Sequence, residues 1–306
     1  MIHYFSSTSL AVSGASVQLQ NLGVGGGAAQ TDATDPNGQF AFRGIGANNW
    51  QVQPSMTSAT SNPADVNDAV AVLEAAVNLR TLNVQQRLAC DVSGDGSVDV
   101  NDGTLILQYV VGLIPRFPVA QTCNSDWVFI PEATSVPNQQ VTNPQIATTS
   151  CQPNGNIKYL PLAGQANNQN FCGVLFGDCL GRWQPSGGAA AMSVSSQGST
   201  GVRLGQYPRR SGRRLLVPLT IGDGLRGFSA QVHYDAAQLT AVGVRPVGRN
   251  TGALVQTNLR TPGMVNVAVA NTRALPRGQA FMIEFAVKNS RAGATSVRLQ
   301  NAAVVR

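Results

Sequence analysis

The sequence predicts a multidomain, mainly β chain that carries one small helical module. Charged residues make up only 12% of the 306, while Gly (32) and Pro (16) are plentiful, as in short strands joined by tight turns. Many short segments place apolar residues at every second position, which gives a strand one buried face. Between the alternating regions, Ala64-Asp65-Val66-Asn67-Asp68 recurs 34 residues later as Val98-Asp99-Val100-Asn101-Asp102, and each copy runs into an apolar stretch at helical spacing.

Charge divides the chain. Residues 1–196 hold 6 Lys+Arg against 12 Asp+Glu, a net of −6, and residues 197–306 hold 15 against 3, a net of +12. An acidic front and a basic back predict separate domains. The basic residues are spread along apparent strands, apart from Arg209-Arg210-Ser211-Gly212-Arg213-Arg214. With no nucleic-acid motif beside them they predict a solvated surface, and no nucleic acid is expected as a partner. No apolar run approaches 18 residues, so no membrane span is expected. Met1–Phe5 lacks the basic start and long apolar stretch of a signal peptide, which leaves an incomplete N-terminus or another export route.

Residues 1–54 predict strands at Ile2–Phe5, Ser16–Gln20, Gln39–Phe42 and Asn49–Pro54, with a turn at Asp35-Pro36-Asn37-Gly38. The pattern GASVQL…TD…NGQFAFRGI…WQVQP resembles the small β-sandwich modules of the carboxypeptidase regulatory family. Such modules are usually spacers, and the resemblance implies no ligand.

Residues 55–120 hold the repeat. Its helices are expected at Ala69–Asn78 and Gly103–Gly112, with Val70, Leu73 and Val77 on one apolar stripe and Ile106, Val110 and Leu113 on the other. Asn78 and Gly112 stand where C-caps belong. Each helix is too short to bury its stripe alone, so the two should pack together. The dozen residues before the second helix carry the chemistry. Calcium takes six to eight oxygens, and loop positions 1, 3, 5, 7, 9 and 12 can encircle it. Here these are Asp91, Ser93, Asp95, the Ser97 carbonyl, Asp99 and Asp102, with Gly96 at the sharp turn and Val98 as a core anchor. The bland alternative is an acidic loop facing water; four Asp at ligand positions ahead of a helix favour the ion.

An ordinary EF-hand has Glu at position 12 and a helix before the loop. This loop has Asp102, and Asn83–Cys90 can form only a short helix. A tandem of loop-then-helix halves resembles the type I dockerin family, whose members bind calcium and dock onto cohesins. In the first half, positions 1, 3, 5 and 6 fall on Thr57, Ala59, Ser61 and Asn62, leaving only Asp65 and Asp68 as ligand-type residues. The resemblance implies partner-choosing side chains at Val66 and Asn67 and at Val100 and Asn101. If the halves fold alike, that surface is nearly two-fold symmetric; the bland alternative is exposed helix starts.

Residues 121–185 predict an irregular, cysteine-bearing extension whose apolar run Phe171–Asp178 packs on the helical module. Ser186–Gly201 predicts a linker. Residues 202–306 predict a sandwich or jelly roll, with alternating strands at 214–220, 228–234, 263–269 and 281–287. Phe228, Tyr234, Asp235, Leu239 and Val242 resemble the opening strands of cohesin-like domains, a resemblance that leaves room for a closing strand after Arg306. Residues 197–306 contain no Trp, and Tyr207, Phe228, Tyr234, Phe281 and Phe285 fall mostly at core positions, so protein docking is favoured over sugar binding there. The fold class is then a β-sandwich, a dockerin of two loop–helix repeats, and a cohesin-like jelly-roll β-sandwich. The opposite charges further predict that the helical module and the C-terminal domain dock in trans, between chains.

Five cysteines lie within 90 residues and form no Cys-x-x-Cys pair, and neither His3 nor His233 is near one in sequence. A zinc site is therefore not expected. The expected disulfides are Cys90–Cys123 and Cys151–Cys179, with Cys172 free, in an oxidising compartment at the bacterial cell surface or beyond it. Catalysis is not expected. Only Glu74, Glu132 and Glu284 are glutamates, most Asp residues sit in the loop or in turns, and no nucleophile elbow is present. The chain reads as a calcium-dependent docking protein, with a carbohydrate-binding surface protein near polysaccharide breakdown as the alternative.

Overall fold

A computed structural model describes residues 1–23, 26–57, 63–144, 155–185, 201–205, 208–248, 252–288 and 297–306. In chain order the first elements are β1 (Ile2–Tyr4), β2 (Ser7–Ala11), β3 (Ser16–Asn21), β4 (Gln30–Ala33), β5 (Trp50–Ser55), α1 (Val66–Ala76), α2 (Val84–Cys90), α3 (Val100–Val110) and α4 (Pro118–Cys123). Then come β6 (Trp127–Ala133), β7 (Gln139–Thr142), β8 (Asn156–Tyr159), β9 (Gln169–Leu175), β10 (Val202–Leu204), β11 (Arg209–Ser211) and β12 (Arg214–Ile221). The last are β13 (Gly227–Tyr234), β14 (Leu239–Pro246), β15 (Leu254–Asn258), β16 (Met264–Ala270), β17 (Gly278–Val287) and β18 (Val297–Val305). These fall into two units: Met1–Pro63 with Leu82–Val98 and Arg116–Ala190, and Ala64–Thr81 with Asp99–Pro115 and Ala191–Arg306.

The first unit holds two sheets, ordered β2-β1-β9-β6 and β4-β3-β5-β8-β7. The boundaries expected at 54/55 and 120/121 do not divide it. β1 pairs in parallel with β9, Ile2 beside Phe171, and β5 pairs with β8, Trp50 beside Tyr159. The front 54 residues thus leave strand edges that only residues 127–175 close, and they are not a self-contained spacer module. Among its described residues, the stretch expected to be irregular supplies four strands and the end of α4. Its core gathers Ile2, Tyr4, Val17, Leu19, Trp50, Trp127, Phe129 and Phe171. The Tyr4 hydroxyl donates to the buried Asp178 carboxylate (2.5 Å), which also accepts from the backbone N–H of Arg182 and Trp183.

Gln39–Phe42 is not a strand, although it alternates. The Asp35–Gly38 turn instead ties back on itself, Asp35 Oδ1 accepting from the N–H of Asn37 and Gln39 at 2.8 Å, while Phe40 and Phe42 fold onto the core as loop residues. α2 has the short length expected, capped by Asn83, and its neighbour β9 overlaps the expected apolar run at Phe171–Leu175. Cys90 is bonded to Cys179, not to Cys123. The Gly177 N–H donates to the Ala89 carbonyl (2.7 Å), which brings the turn after β9 against the end of α2; pairing by nearness in sequence missed that contact. Cys123 is also disulfide-bonded, and Cys151 lies outside the described residues. The linker at 186–200 lies outside them too.

The second unit contains two antiparallel sheets, β10-β12-β17-β14 with β11 beside β12, and β15-β16-β13-β18. They face each other across Val217, Leu219, Phe228, Val267, Val269, Phe281, Ile283 and Phe285. The four strands expected from alternation are β12, β13, β16 and β17. The Arg209–Arg214 cluster is an exposed hairpin turning at Gly212 (φ +57°). Tyr207 lies outside the described residues. α1 and α3 belong to this unit and lie side by side on the outer face of the second sheet, α1 over β13, β16 and β18, α3 over β15 and β16.

Candidate calcium loop and helix-pair face

Asp91, the first expected ligand, is fully buried. Its Oδ1 accepts from the Gly94 N–H (2.8 Å) and the Ser93 hydroxyl (3.3 Å), and its Oδ2 from the Gly96 N–H (3.0 Å). Gly94 (φ +79°) and Gly96 (φ +92°) take the left-handed turns that let the backbone fold around this carboxylate. Asp95 is exposed, and its Oδ1 accepts from the Ser97 N–H (2.9 Å). Val92 rather than Val98 is the buried anchor, its carbonyl accepting from the Val119 N–H at the start of α4.

Asp99 and Asp102 belong to the second unit. Asp99 N-caps α3, accepting from the Asn101 N–H (2.7 Å), while the buried Asp102 carboxylate accepts from the Asp99 N–H (3.0 Å). Asp65 and Asp68 make the same capping box on α1, at 2.7 and 2.9 Å. The 34-residue repeat is therefore real in three dimensions, down to the φ of −142° shared by both caps. Both helices begin three residues earlier than expected, because the Asp–x–x–Asp box starts them at Val66 and Val100. Asn78 (φ +59°) and Gly112 (φ +74°) close them as expected. Ala59, Ser61 and Asn62 lie outside the described residues, and Thr57 precedes them as an exposed loop residue. The loop's oxygen-only donor set fits a hard cation such as calcium. The Asp65–Asp68 pair of the first half and the Asp99–Asp102 pair of the second are engaged alike in their caps.

The helix pair does not present two equivalent recognition ends. Val66 is 3% exposed, and a Cβ added at Gly227 would stand 2.7 Å from its Cγ1 and 3.3 Å from Val70 Cγ2; Val100 is 48% exposed. One pair laid on one sheet must turn its two starts to different surroundings, so the expected symmetry is broken. Asn67 donates to Asp65, and Asn101 is exposed. Within the single chain, α1 and α3 rest on their own sandwich, where the covalent link raises the local concentration of each for the other. The buried Glu74 carboxylate on α1 pairs with Arg80 (2.8 Å) and with Arg226. At the end of α3, Asn258 Nδ2 donates to the Val111 carbonyl (3.0 Å) and the Gly112 carbonyl (3.1 Å). Asn266 donates to Val111 as well, and Arg260 donates to the Leu113 carbonyl. Amides and a guanidinium thereby satisfy carbonyls that a helix end leaves open.

Elsewhere in the first unit, His3, Glu132 and Cys172 meet on adjacent strands of one sheet, with possible ligand atoms within 4.8 Å of one another. His3 Nε2 is 3.2 Å from Glu132. Distance in sequence had argued against such a grouping; β1 pairing with β9 creates it. Cys172 is free and buried, and burial, followed by the Glu132 charge, pushes its thiol up from near 9 to about 12. Below pH 9 the thiol is protonated in both folded and unfolded chains. Between about 9 and 12 only the unfolded chain releases the proton, so stability should fall as pH rises through that window. The native chain should resist iodoacetamide at pH 8 and react at Cys172 once denaturant unfolds it; rapid native labelling would contradict the burial.

No family model matches the sequence, and a search of the curated proteins finds no match. Solved structures are similar to about a third of the chain. One is a non-cellulosomal cohesin from the hyperthermophilic archaeon Archaeoglobus fulgidus, at 17% identity over 34% of this chain and 75% of that one, with a TM-score of 0.28. Another is a cohesin module from a Clostridium perfringens family 33 glycoside hydrolase, at 10% identity over 34% and 96%, TM-score 0.25. A third is the sixth cohesin of Acetivibrio cellulolyticus scaffoldin B, solved with a dockerin, at 16% identity over 35% and 83%, TM-score 0.26.

Proposed function

We propose that this chain is a non-catalytic, calcium-dependent protein-docking and scaffolding protein of the bacterial exterior, acting through dockerin–cohesin type recognition. The observation that carries the reading is the repeat: two eleven-residue helices, each started by an Asp–x–x–Asp box, of which the second follows a loop turned around a buried aspartate. Calcium is assigned to Asp91, Ser93, Asp95, the Ser97 carbonyl, Asp99 and Asp102 on their spacing along the chain and their oxygen chemistry. The ion would fix the loop that begins at Asp91. Disulfide-bonded Cys90, Cys123 and Cys179 suit an oxidising compartment. Calorimetric titration should find one tight calcium site, lost in Asp95→Ala with little change in melting temperature of the calcium-free chain. Retained binding in that variant would remove the assignment.

One observation favours carbohydrate binding as a second reading. A cleft of about 700 Å³ in the first unit is lined by Phe40, Phe42, Trp50 and Tyr159 together with the amides Asn167 and Asn168. Aromatic faces and amides are the groups a neutral sugar uses. A glycan array should then show binding that Phe42→Ala weakens about tenfold, a loss of roughly 1.4 kcal/mol, and that chelation leaves unchanged.

A further inference from the structure

The sheet β2-β1-β9-β6 has a second face, turned away from the aromatic core of its unit. Side chains alternate along a strand. Ile2, Tyr4, Trp127, Phe129 and Phe171 belong to the core, so His3, Glu132 and Cys172 point the other way. Register brings these three together. His3 of β1 stands directly beside Cys172 of β9. On the far side of β9, Cys172 pairs with Ile130 of β6, and Glu132 lies two residues further along on the same face. β9 runs between β1 and β6, so His3 and Glu132 reach toward each other across it, to 3.2 Å. Donor atoms of all three side chains lie within 4.8 Å of one another.

Hydrogen bonding does not account for this group. His3 is 5% exposed and Cys172 2%. His3 Nδ1 is buried without a hydrogen-bond partner, although buried polar atoms are ordinarily paired. Cys172 keeps a free thiol, while Cys90, Cys123 and Cys179 are all disulfide-bonded. Glu132 is different: its side chain is 45% exposed, so the group opens to solvent on that side and an ion has a way in.

We infer that His3, Glu132 and Cys172 form a metal site for a borderline-soft divalent cation of the zinc class. Thiolate and imidazole select such an ion over calcium, which prefers oxygen donors alone. Zinc takes sulfur at about 2.3 Å and nitrogen or oxygen at about 2.0–2.2 Å, so its tetrahedral ligands stand roughly 3.3–3.8 Å apart. Turning the exposed Glu132 side chain is enough to close the group around one ion. Three protein ligands leave the fourth position to water, on the side that Glu132 leaves open. Binding releases the thiol proton to solvent. The site shares no residue with the Asp91 loop and does not depend on the docking function proposed above.

Titration of the tag-free full chain with cobalt(II), a coloured stand-in for zinc, tests this. A near-ultraviolet sulfur-to-metal absorption band should grow to one equivalent. Zinc should remove the band, and a large excess of calcium should leave it in place. Cys172→Ser should abolish it. Since a change at buried His3 or Cys172 could impair folding, the exposed Glu132 gives a second reading. Losing even an outer partner of a metal ligand costs ten- to a hundredfold in affinity, so Glu132→Gln should weaken zinc binding at least about tenfold, measured by competition with a chromophoric chelator. No sulfur band in the unmodified chain overturns the inference. So does a band that calcium displaces, or a Glu132→Gln chain that holds zinc as tightly as the unmodified one. A failed calcium titration beside an intact cobalt band removes the Asp91 loop as a site and spares this one, and the reverse result does the opposite.

Discussion

Asp91→Ala should cost the chain both its calcium affinity and part of its fold. The Asp91 carboxylate is fully buried and gathers the N–H groups of Gly94 and Gly96 and the Ser93 hydroxyl. Removing it leaves those donors without their acceptor, at about 1–3 kcal/mol for each buried group, so the calcium-free variant should lose roughly 2–5 kcal/mol. Calcium affinity should drop at least about a hundredfold, equivalent to about 2.7 kcal/mol, since the first anionic ligand has gone. Asp91→Asn keeps one acceptor oxygen and should recover part of the stability but little of the affinity. The contrast with the exposed Asp95 is diagnostic: there, affinity should fall with stability nearly intact. Denaturant melts with and without chelator, run beside the titration, separate the two roles. If Asp91→Ala melts with the unmodified chain, the buried carboxylate is not what holds the loop; if it binds calcium normally, the loop is not the site.

The parts legible in the sequence are those set by neighbours along the chain. The left-handed Asn78 and Gly112, the turn at Gly96 and the alternation of β13 and β16 are local chemistry, and each is where the residues place it; the Asp–x–x–Asp boxes are local too, but reading those carboxylates as ligands alone set the helix starts three residues late. What was missed is pairing between distant segments. Alternation says which face a strand buries, not which strand lies beside it, so the parallel pairing of Ile2–Tyr4 with Phe171–Gly173 left no trace in either segment. The same holds for the grouping of His3 with Glu132 and Cys172. One missed feature did have a signal. Val267-Ala268-Val269-Ala270 is apolar at every position, the mark of a strand covered on both faces. Taken as a one-faced strand, it concealed the surface that α1 and α3 cover.

Replacing Cys179 with alanine should give the largest loss of stability at a single bond. The Cys90–Cys179 disulfide closes a loop of 89 residues in sequence. In the chain-entropy treatment a cross-link of that span restrains the unfolded chain by about 4–5 kcal/mol, comparable to much of the net stability of an ordinary domain. The bond also joins two features of the calcium proposal. Cys90 is the last residue of α2, and Asp91 follows it directly. Opening the bond frees the end of α2 from the turn after β9, held otherwise by the Gly177 N–H on the Ala89 carbonyl, so the loop that starts at Asp91 loses a fixed end. The expected result is therefore a coupled one: Cys179→Ala lowers the denaturation midpoint sharply and weakens calcium binding, although no ligand has been touched. Peptide mapping without reductant should recover Cys90 joined to Cys179 in the unmodified chain. Recovery of Cys90 joined to Cys123, the pairing that proximity in sequence favours, would sink the prediction and the anchoring of the loop with it.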